Sequence, residues 1–227
     1  SRALEGDPEE NWRLHNLELK ARADRLNAMG LVSLEYRSAN GTDLKVGLIP
    51  EALFLGGAER CPVNGVLYDP NIPSEELFIT PKAGSAEGIV HATMPLVFQG
   101  ILIEDFWLRF EGGKVTELHA EKNEEALRTL VSMDEGAAML GECALVPYAS
   151  PIRESGILFY NTLFDENAAC HLALGRGYSS NIRDYENYSL EELRAMGVND
   201  SMVHEDFMIG SEDLSITGVT AAGERVA

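Results

Sequence analysis

Apolar and polar residues recur along this chain with two different periods, and the change of period marks its elements. Asp7-Pro8-Glu9-Glu10 opens a helix, with Asp7 as N-cap, Pro8 at the first helical position and Glu10 at the third. Helical spacing continues to about Met29, where Gly30 stops it. Leu14, Leu17 and Ala21 form one apolar row on this helix, broadened by Trp12, Leu19, Ala23 and Leu26. The period then falls to two. LVSLEYR (31–37) and DLKVGLI (43–49) read as a hairpin turned at Asn40-Gly41. Residues 50–75 are rich in Gly, Pro and Asn and read as loop, after which IPSEELFIT leads into a short strand.

Residues 88–98, 100–111 and 114–121 read as three strands, the last two closed through Glu111-Gly112-Gly113-Lys114. Asn123 to Met133 is helical in pattern, and GECALVPY (141–148) is strand-like. ILFYNTLF (157–164) reads as a buried strand feeding a helix that starts near Asp165. Ser189 and Glu192 form a capping box for a helix ending at Gly197. His204 to Ile209 has strand spacing, and residues 214–227 close the chain as a hairpin. Strands outnumber helices and cluster in hairpins. The expected class is α+β, with a largely antiparallel or mixed sheet, packed helices and a single domain.

Composition narrows the function classes. The 227 residues are 45% hydrophobic, enough for a sizeable core, and no apolar run is long enough to span a bilayer. Net charge is −19, from 37 acids against 18 bases. Phosphate contacts need clustered Lys and Arg, so nucleic-acid and anionic-membrane partners are disfavoured. Three cysteines (Cys61, Cys143, Cys170), without a close CxxC pair, argue against a disulfide scaffold and for a reducing cytoplasmic setting. Cys143 and Cys170 read as small buried filler.

Candidate chemistry gathers in DENAACHLALGRGY (165–178) and HEDFMIG (204–210). If the first is helical, His171 and Tyr178 lie two turns apart on one side. If the second is a strand, His204 and Asp206 share a face. Imidazole nitrogens with carboxylate and phenol oxygens suit zinc, cobalt or manganese. Glu75 and Glu76 stand together between a Pro-containing loop and the apolar LFI. Glu142 is embedded in an apolar run, where a carboxylate needs compensation that a divalent cation would supply. His15 and His119 read as surface residues, and Glu166 as a charge favouring a helix N-terminus. HExxH, GxSxG and GxxxxGK[ST] are all missing. Cys170 and His171, adjacent on a helix, would diverge by about a hundred degrees and make a poor nucleophile–base pair.

PSEELFITP, GECALVP, LFYNTLFDENAACHLALGRGY and VNDSMVHEDFMIGS together resemble the M29 family of metallo-aminopeptidases, the aminopeptidase T and aminopeptidase S group. The likeness spans nearly the whole chain. It implies that residues 1–227 are the C-terminal, metal-binding catalytic domain of a longer enzyme whose N-terminal domain is absent here. It also implies a pair of divalent ions (zinc or cobalt, with magnesium or manganese as alternatives), held by Glu76, Glu142, His171, Tyr178, His204 and Asp206. The implied reaction is hydrolysis of the N-terminal peptide bond of a peptide with a free amine, through a metal-activated water. Glu142 or Glu75 is the expected general base, and a homodimer the expected assembly. Cys143 and Glu205 replace expected apolar residues, and Glu205 should face away from the ligands. The alternative is a truncated, inactive fragment that binds metal or self-associates without turnover.

Overall fold

Asp7 caps the first helix, its carboxylate accepting the backbone N–H groups of Glu9 and Glu10. This helix, α1, spans Pro8–Ala28 in a computed structural model that describes residues 2–61 and 63–227. Its buried face differs from the expected row. Leu14 and Leu17 are 51% and 54% exposed, whereas His15, Leu19 and Ala23 are buried. Those three positions lie four apart, so the packed stripe begins with a histidine and the apolar pattern alone conceals it. His15 is therefore buried, not the surface residue its charged neighbours suggest. Its Nε2 lies 2.7 Å from the carbonyl of Ser74.

The chain continues through β1 (Leu31–Arg37), β2 (Asp43–Gly47), β3 (Glu59–Arg60), β4 (Leu67–Tyr68), β5 (Leu77–Ile79), β6 (Glu87–His91) and β7 (Leu96–Phe98). β8 (Ile101–Glu111), β9 (Lys114–Lys122), α2 (Glu124–Val131) and β10 (Leu140–Leu145) follow. The rest comprises α3 (Pro151–Glu154), α4 (Thr162–Asp165), β11 (His171–Gly175), α5 (Leu190–Met196), β12 (His204–Met208), β13 (Ser215–Thr220) and β14 (Arg225–Val226). Among the described residues, every ladder is antiparallel. An eight-stranded sheet runs β14-β13-β1-β2-β6-β8-β7, with β9 beside β8, and a four-stranded sheet runs β12-β11-β10-β5. The fold is α+β. Both halves of the Ser189/Glu192 capping box form.

One core joins the two sheets. Leu34, Tyr36, Val90, Phe106 and Leu108 of the large sheet pack with Leu140, Cys143, Leu172, Leu174 and Phe207 of the small one. The rings of Phe106 and Phe207 meet at 5.8 Å between centroids. Thr93 N donates to Met208 O across the join.

Two segments differ from the sequence expectation. Residues 157–164 form no strand. The Asp165 carboxylate accepts the N–H groups of Phe159 and Asn161, removing donors a ladder would need, and Tyr160 lies at φ +54°. Nor is 165–178 a helix. A 3-10 turn, Glu166–Ala168, leads into β11, whose five residues are all buried. A short run buried on both faces carries no periodicity that separates strand from helix. Gly175, at φ +98°, ends the strand where a Cβ would come within 2.2 Å of Val203 O.

Candidate metal centre

The pleat of the small sheet separates its chemistry from its packing. Ala173 pairs with Glu142 on one side and with Asp206 on the other. Residues directly opposite share a face, and so do residues two apart. Glu142, His171, Asp206 and His204 therefore ring Ala173. Phe78 pairs with Ala144, which extends the same face to Glu76 two residues earlier. The alternate positions, Leu77, Ile79, Cys143, Leu172, Leu174 and Phe207, point into the core.

The donors lie close together. His171 Nε2 is 3.1 Å from Glu76 Oε2 and 3.7 Å from Glu142 Oε1. His204 Nε2 is 3.2 Å from Glu142 Oε2 and 3.4 Å from Asp206 Oδ1. Among the described residues, three groupings have donor atoms all within 4.8 Å of one another: Glu76–Glu142–His171, Glu142–His204–Asp206 and Glu166–His171–Asp206. Glu142 spans the first two, one oxygen toward each histidine. Tyr178 follows β11 and packs its ring on His204 at 4.7 Å between centroids. Thr80 Oγ1 accepts the Tyr178 N–H at 2.8 Å. A cavity of about 310 Å³ is lined by Glu76, Glu142, Glu166, Tyr178, His204 and Asp206, among others. A larger groove of about 790 Å³, between α1 and residues 53–72, contains none of them.

Two of the expected positions fall differently. Glu75 is one residue out of phase with Glu76, and its carboxylate meets Arg2 at 2.6 Å and His15 at 3.5 Å, outside the groupings. Glu166 is no exposed helix-end charge. It is buried at the turn before β11, with its carboxylate among the donors. The signal available for Glu166 was its place five residues before His171 in a run otherwise small and apolar. Glu205 alternates away from His204 and Asp206 and is half-buried.

Protonation follows from burial and crowding. Burial pushes the Glu166 carboxyl up to about 8, with the charges of Glu76 and Asp206 adding to it. Burial also raises Glu76. Glu142 is buried too, but hydrogen bonds from His171 and His204 outweigh that and hold it below the usual range. Burial opposes charge on His204, yet Asp206 and Glu142 carry it up to about 11. His171 is likewise raised, by Glu142 and Glu76.

These residues fit divalent cations on observations of the fold itself. Each histidine has its Nδ1 against a carbonyl, Ala169 O at 3.1 Å for His171 and Arg176 O at 2.7 Å for His204. An Nδ1–H donating there turns Nε2 toward the carboxylates, the nitrogen a metal would take in place of its proton. Glu76 Oε2 and Asp206 Oδ1 are buried without a hydrogen-bond partner, although imidazole nitrogens lie nearby. Four clustered carboxylates with two imidazoles leave an excess of negative charge that only protons or cations can offset.

Comparison with known proteins places the chain in a family. The family model described as thermophilic metalloprotease (M29) matches residues 1–227. Aminopeptidase 2 of Geobacillus stearothermophilus is 47% identical over 225 residues, covering 99% of this chain and 54% of that protein. Aminopeptidase T of Thermus aquaticus is 45% identical over 226 residues, covering 100% and 54%. The solved structure of wild-type AmpT from Thermus thermophilus superposes with a TM-score of 0.88 at 44% identity, covering 95% of this chain and 52% of that one. A 2,5-dihydroxypyridine dioxygenase from Pseudomonas putida KT2440 shares the fold, with a TM-score of 0.60 at 17% identity, covering 97% and 63%. The chain thus spans about half the length of the curated relatives it matches, and on family model, relatives and fold together it belongs to the M29 metallopeptidase family.

Proposed function

We propose that this chain is the metal-binding part of an aminopeptidase that hydrolyses the N-terminal peptide bond of peptides. The observation that carries the reading is Glu142, whose two oxygens face the Nε2 atoms of two histidines, each held through its Nδ1 by a backbone carbonyl. Glu76, Glu142 and His171 would hold one ion, and Glu142, His204 and Asp206 a second, with Glu166 as a further donor between His171 and Asp206. Divalent ions there supply Lewis acidity toward a peptide carbonyl and a water.

Glu142 commits both oxygens to the histidines, and Glu75 faces Arg2, so neither suits the expected role of general base. In this reading one oxygen of Glu166 stays with His171 and Asp206 and the other takes that role. Glu166 lines the cavity, and its carboxylate accepts a proton from the attacking water and returns it to the leaving nitrogen. Tyr178, expected as the sixth ligand, lines the same cavity with its ring on His204, where its phenol oxygen would complete the ligand set. The acid-lined cavity suits the ammonium of a free N-terminus, whereas an acylated one loses that attraction.

The identity of the ions as zinc or cobalt, with magnesium or manganese as alternatives, rests on the donor chemistry of mixed imidazole and carboxylate. A cytoplasmic setting is supported by three free cysteines, and a homodimer by the resemblance to the family alone. Assignment of residues 1–227 as the metal-binding domain of a longer enzyme is supported by coverage of 54% of the relatives. Among the described residues, no helix is long and apolar enough to cross a membrane.

The test compares turnover of leucyl-anilide with its N-acetylated form after loading with zinc or cobalt. An aminopeptidase uses only the first. Use of both would replace exopeptidase action with general amide hydrolysis. Metal binding without turnover of either would favour the inactive-fragment reading.

A further inference from the structure

The loop leading into β5 and the 3-10 turn before β11 each carry a donor of the centre, Glu76 and Glu166, yet they lie some ninety residues apart in sequence. One fully buried side chain joins them. Asn167 Oδ1 accepts the backbone N–H of Glu75 at 2.6 Å. Its Nδ2 donates to Pro73 O at 3.3 Å and to Leu163 O at 2.9 Å. Ser150 Oγ donates to the Asn167 carbonyl while accepting the N–H of Ile152, so the turn is also tied to the start of α3.

Each bond lies one or a few residues from a donor. Asn167 follows Glu166, and its partner Glu75 precedes Glu76. A loop and a turn that carry ligands without being strands need some other restraint to hold them within the few tenths of an ångström that a metal site tolerates. A carboxamide serves where no other side chain of its size does, because it presents an acceptor and two donors in one plane.

We propose that Asn167 is a positioning residue of the metal centre, clamping the loop that bears Glu76 to the turn that bears Glu166 and so setting the distance between the two halves. The proposal rests on the metal-centre reading above. It makes metal affinity depend on a residue that touches no ion, and assigns the effect to register between two backbone segments rather than to general stability.

The test uses Asn167→Ala and Asn167→Asp in the 227-residue chain, with Leu127→Ala as a control. Leu127 is buried in α2, which packs on β8 and β9 of the other sheet. Cobalt(II) affinity is titrated from its visible absorption, and amide exchange is followed over residues 74–76. Asn167→Ala should weaken cobalt binding about 10- to 100-fold, as loss of an outer partner does, and speed exchange at Glu75. Asn167→Asp keeps the acceptor for Glu75 N–H and should fall between parent and Ala. Leu127→Ala should lower the Tm without changing either readout. Equal behaviour of Asn167→Ala and Leu127→Ala would overturn the proposal. Where the Ala variant does not fold, Asn167→Asp decides, and parent-like cobalt affinity and exchange in it would count against the clamp. If the parent takes up no cobalt, the metal reading fails, and unchanged exchange at 74–76 would overturn the clamp independently.

Discussion

Ala173 has the smallest side chain in the centre, and the arrangement depends on that. It sits between Glu142 and Asp206 in the register, two residues from His171, and is fully buried. A Leu there would occupy the space into which the carboxylates point. Ala173→Leu should abolish metal uptake while costing the metal-free fold about 1–3 kcal/mol, as overpacking does. Equilibrium unfolding and cobalt titration on the same sample separate the two effects. Glu166 makes the complementary case. In the metal-free chain its burial beside other acids is a cost, so Glu166→Gln should raise the metal-free Tm and weaken metal binding. A lower metal-free Tm would show that its charge is compensated in another way.

The same groups set the pH dependence. Glu166 is raised to about 8 from an ordinary 4.5, and His204 to about 11 from 6.5. Each binds its proton more tightly folded than unfolded. The stability they confer is complete below the unfolded values and is lost as pH rises through the folded ones. The Tm of the metal-free chain should therefore fall from about pH 4.5 to about pH 11, most steeply between about 6.5 and 8, where both groups contribute. Metal competes with those protons, so affinity should rise over the same range, with proton release on loading measurable by calorimetry in buffers of different ionisation enthalpy. A metal-free Tm that climbs across this range would contradict the protonation scheme.

At the scale of elements, α1 shows what a sequence conceals. Two helical rows are available on it, and the one with the better apolar residues, Leu14 and Leu17, faces outward. Leu19→Ala should cost about 2–5 kcal/mol, whereas Leu14→Gln should stay within about 0.5 kcal/mol. The reverse order in chemical unfolding would restore the row read from spacing. Legibility elsewhere followed the same physics. Hairpins with a turn signal at Asn40-Gly41 or Gly112-Gly113 were readable, because alternation and turn chemistry agree there. The capped helices were readable from Asp7 and from Ser189 with Glu192. β11 was not, because HLALG is buried on both faces and has no period. His204 and Asp206 share a strand face as their spacing implied, while Tyr178 follows β11 through a turn and packs on His204, not beside His171 along a helix. Glu166 and His15 were misread for one reason. Each is a polar residue whose burial comes from partners distant in the chain.

At the scale of the molecule, the two sheets divide the work. The large sheet and α2 supply most of the apolar core. The small sheet turns one face to that core and the other to the centre, so three of its strands and the loop entering the fourth carry both packing and chemistry. Phe207 lies between Asp206 and the core, its ring 5.8 Å from Phe106. Phe207→Ala should cost about 3–5 kcal/mol, and metal loading should recover part of it, since a ligand that binds only the folded state adds to its stability. An equal Tm with and without metal would separate the centre from the fold.

The most direct measurement is the stoichiometry of cobalt or zinc bound to the chelator-stripped chain, for the parent and for Glu142→Gln. Two ions per chain in the parent, with both weakened in the variant, is the result expected if Glu142 is shared between two sites. No saturable binding in the parent, or a full complement retained by Glu142→Gln, would contradict the paired centre.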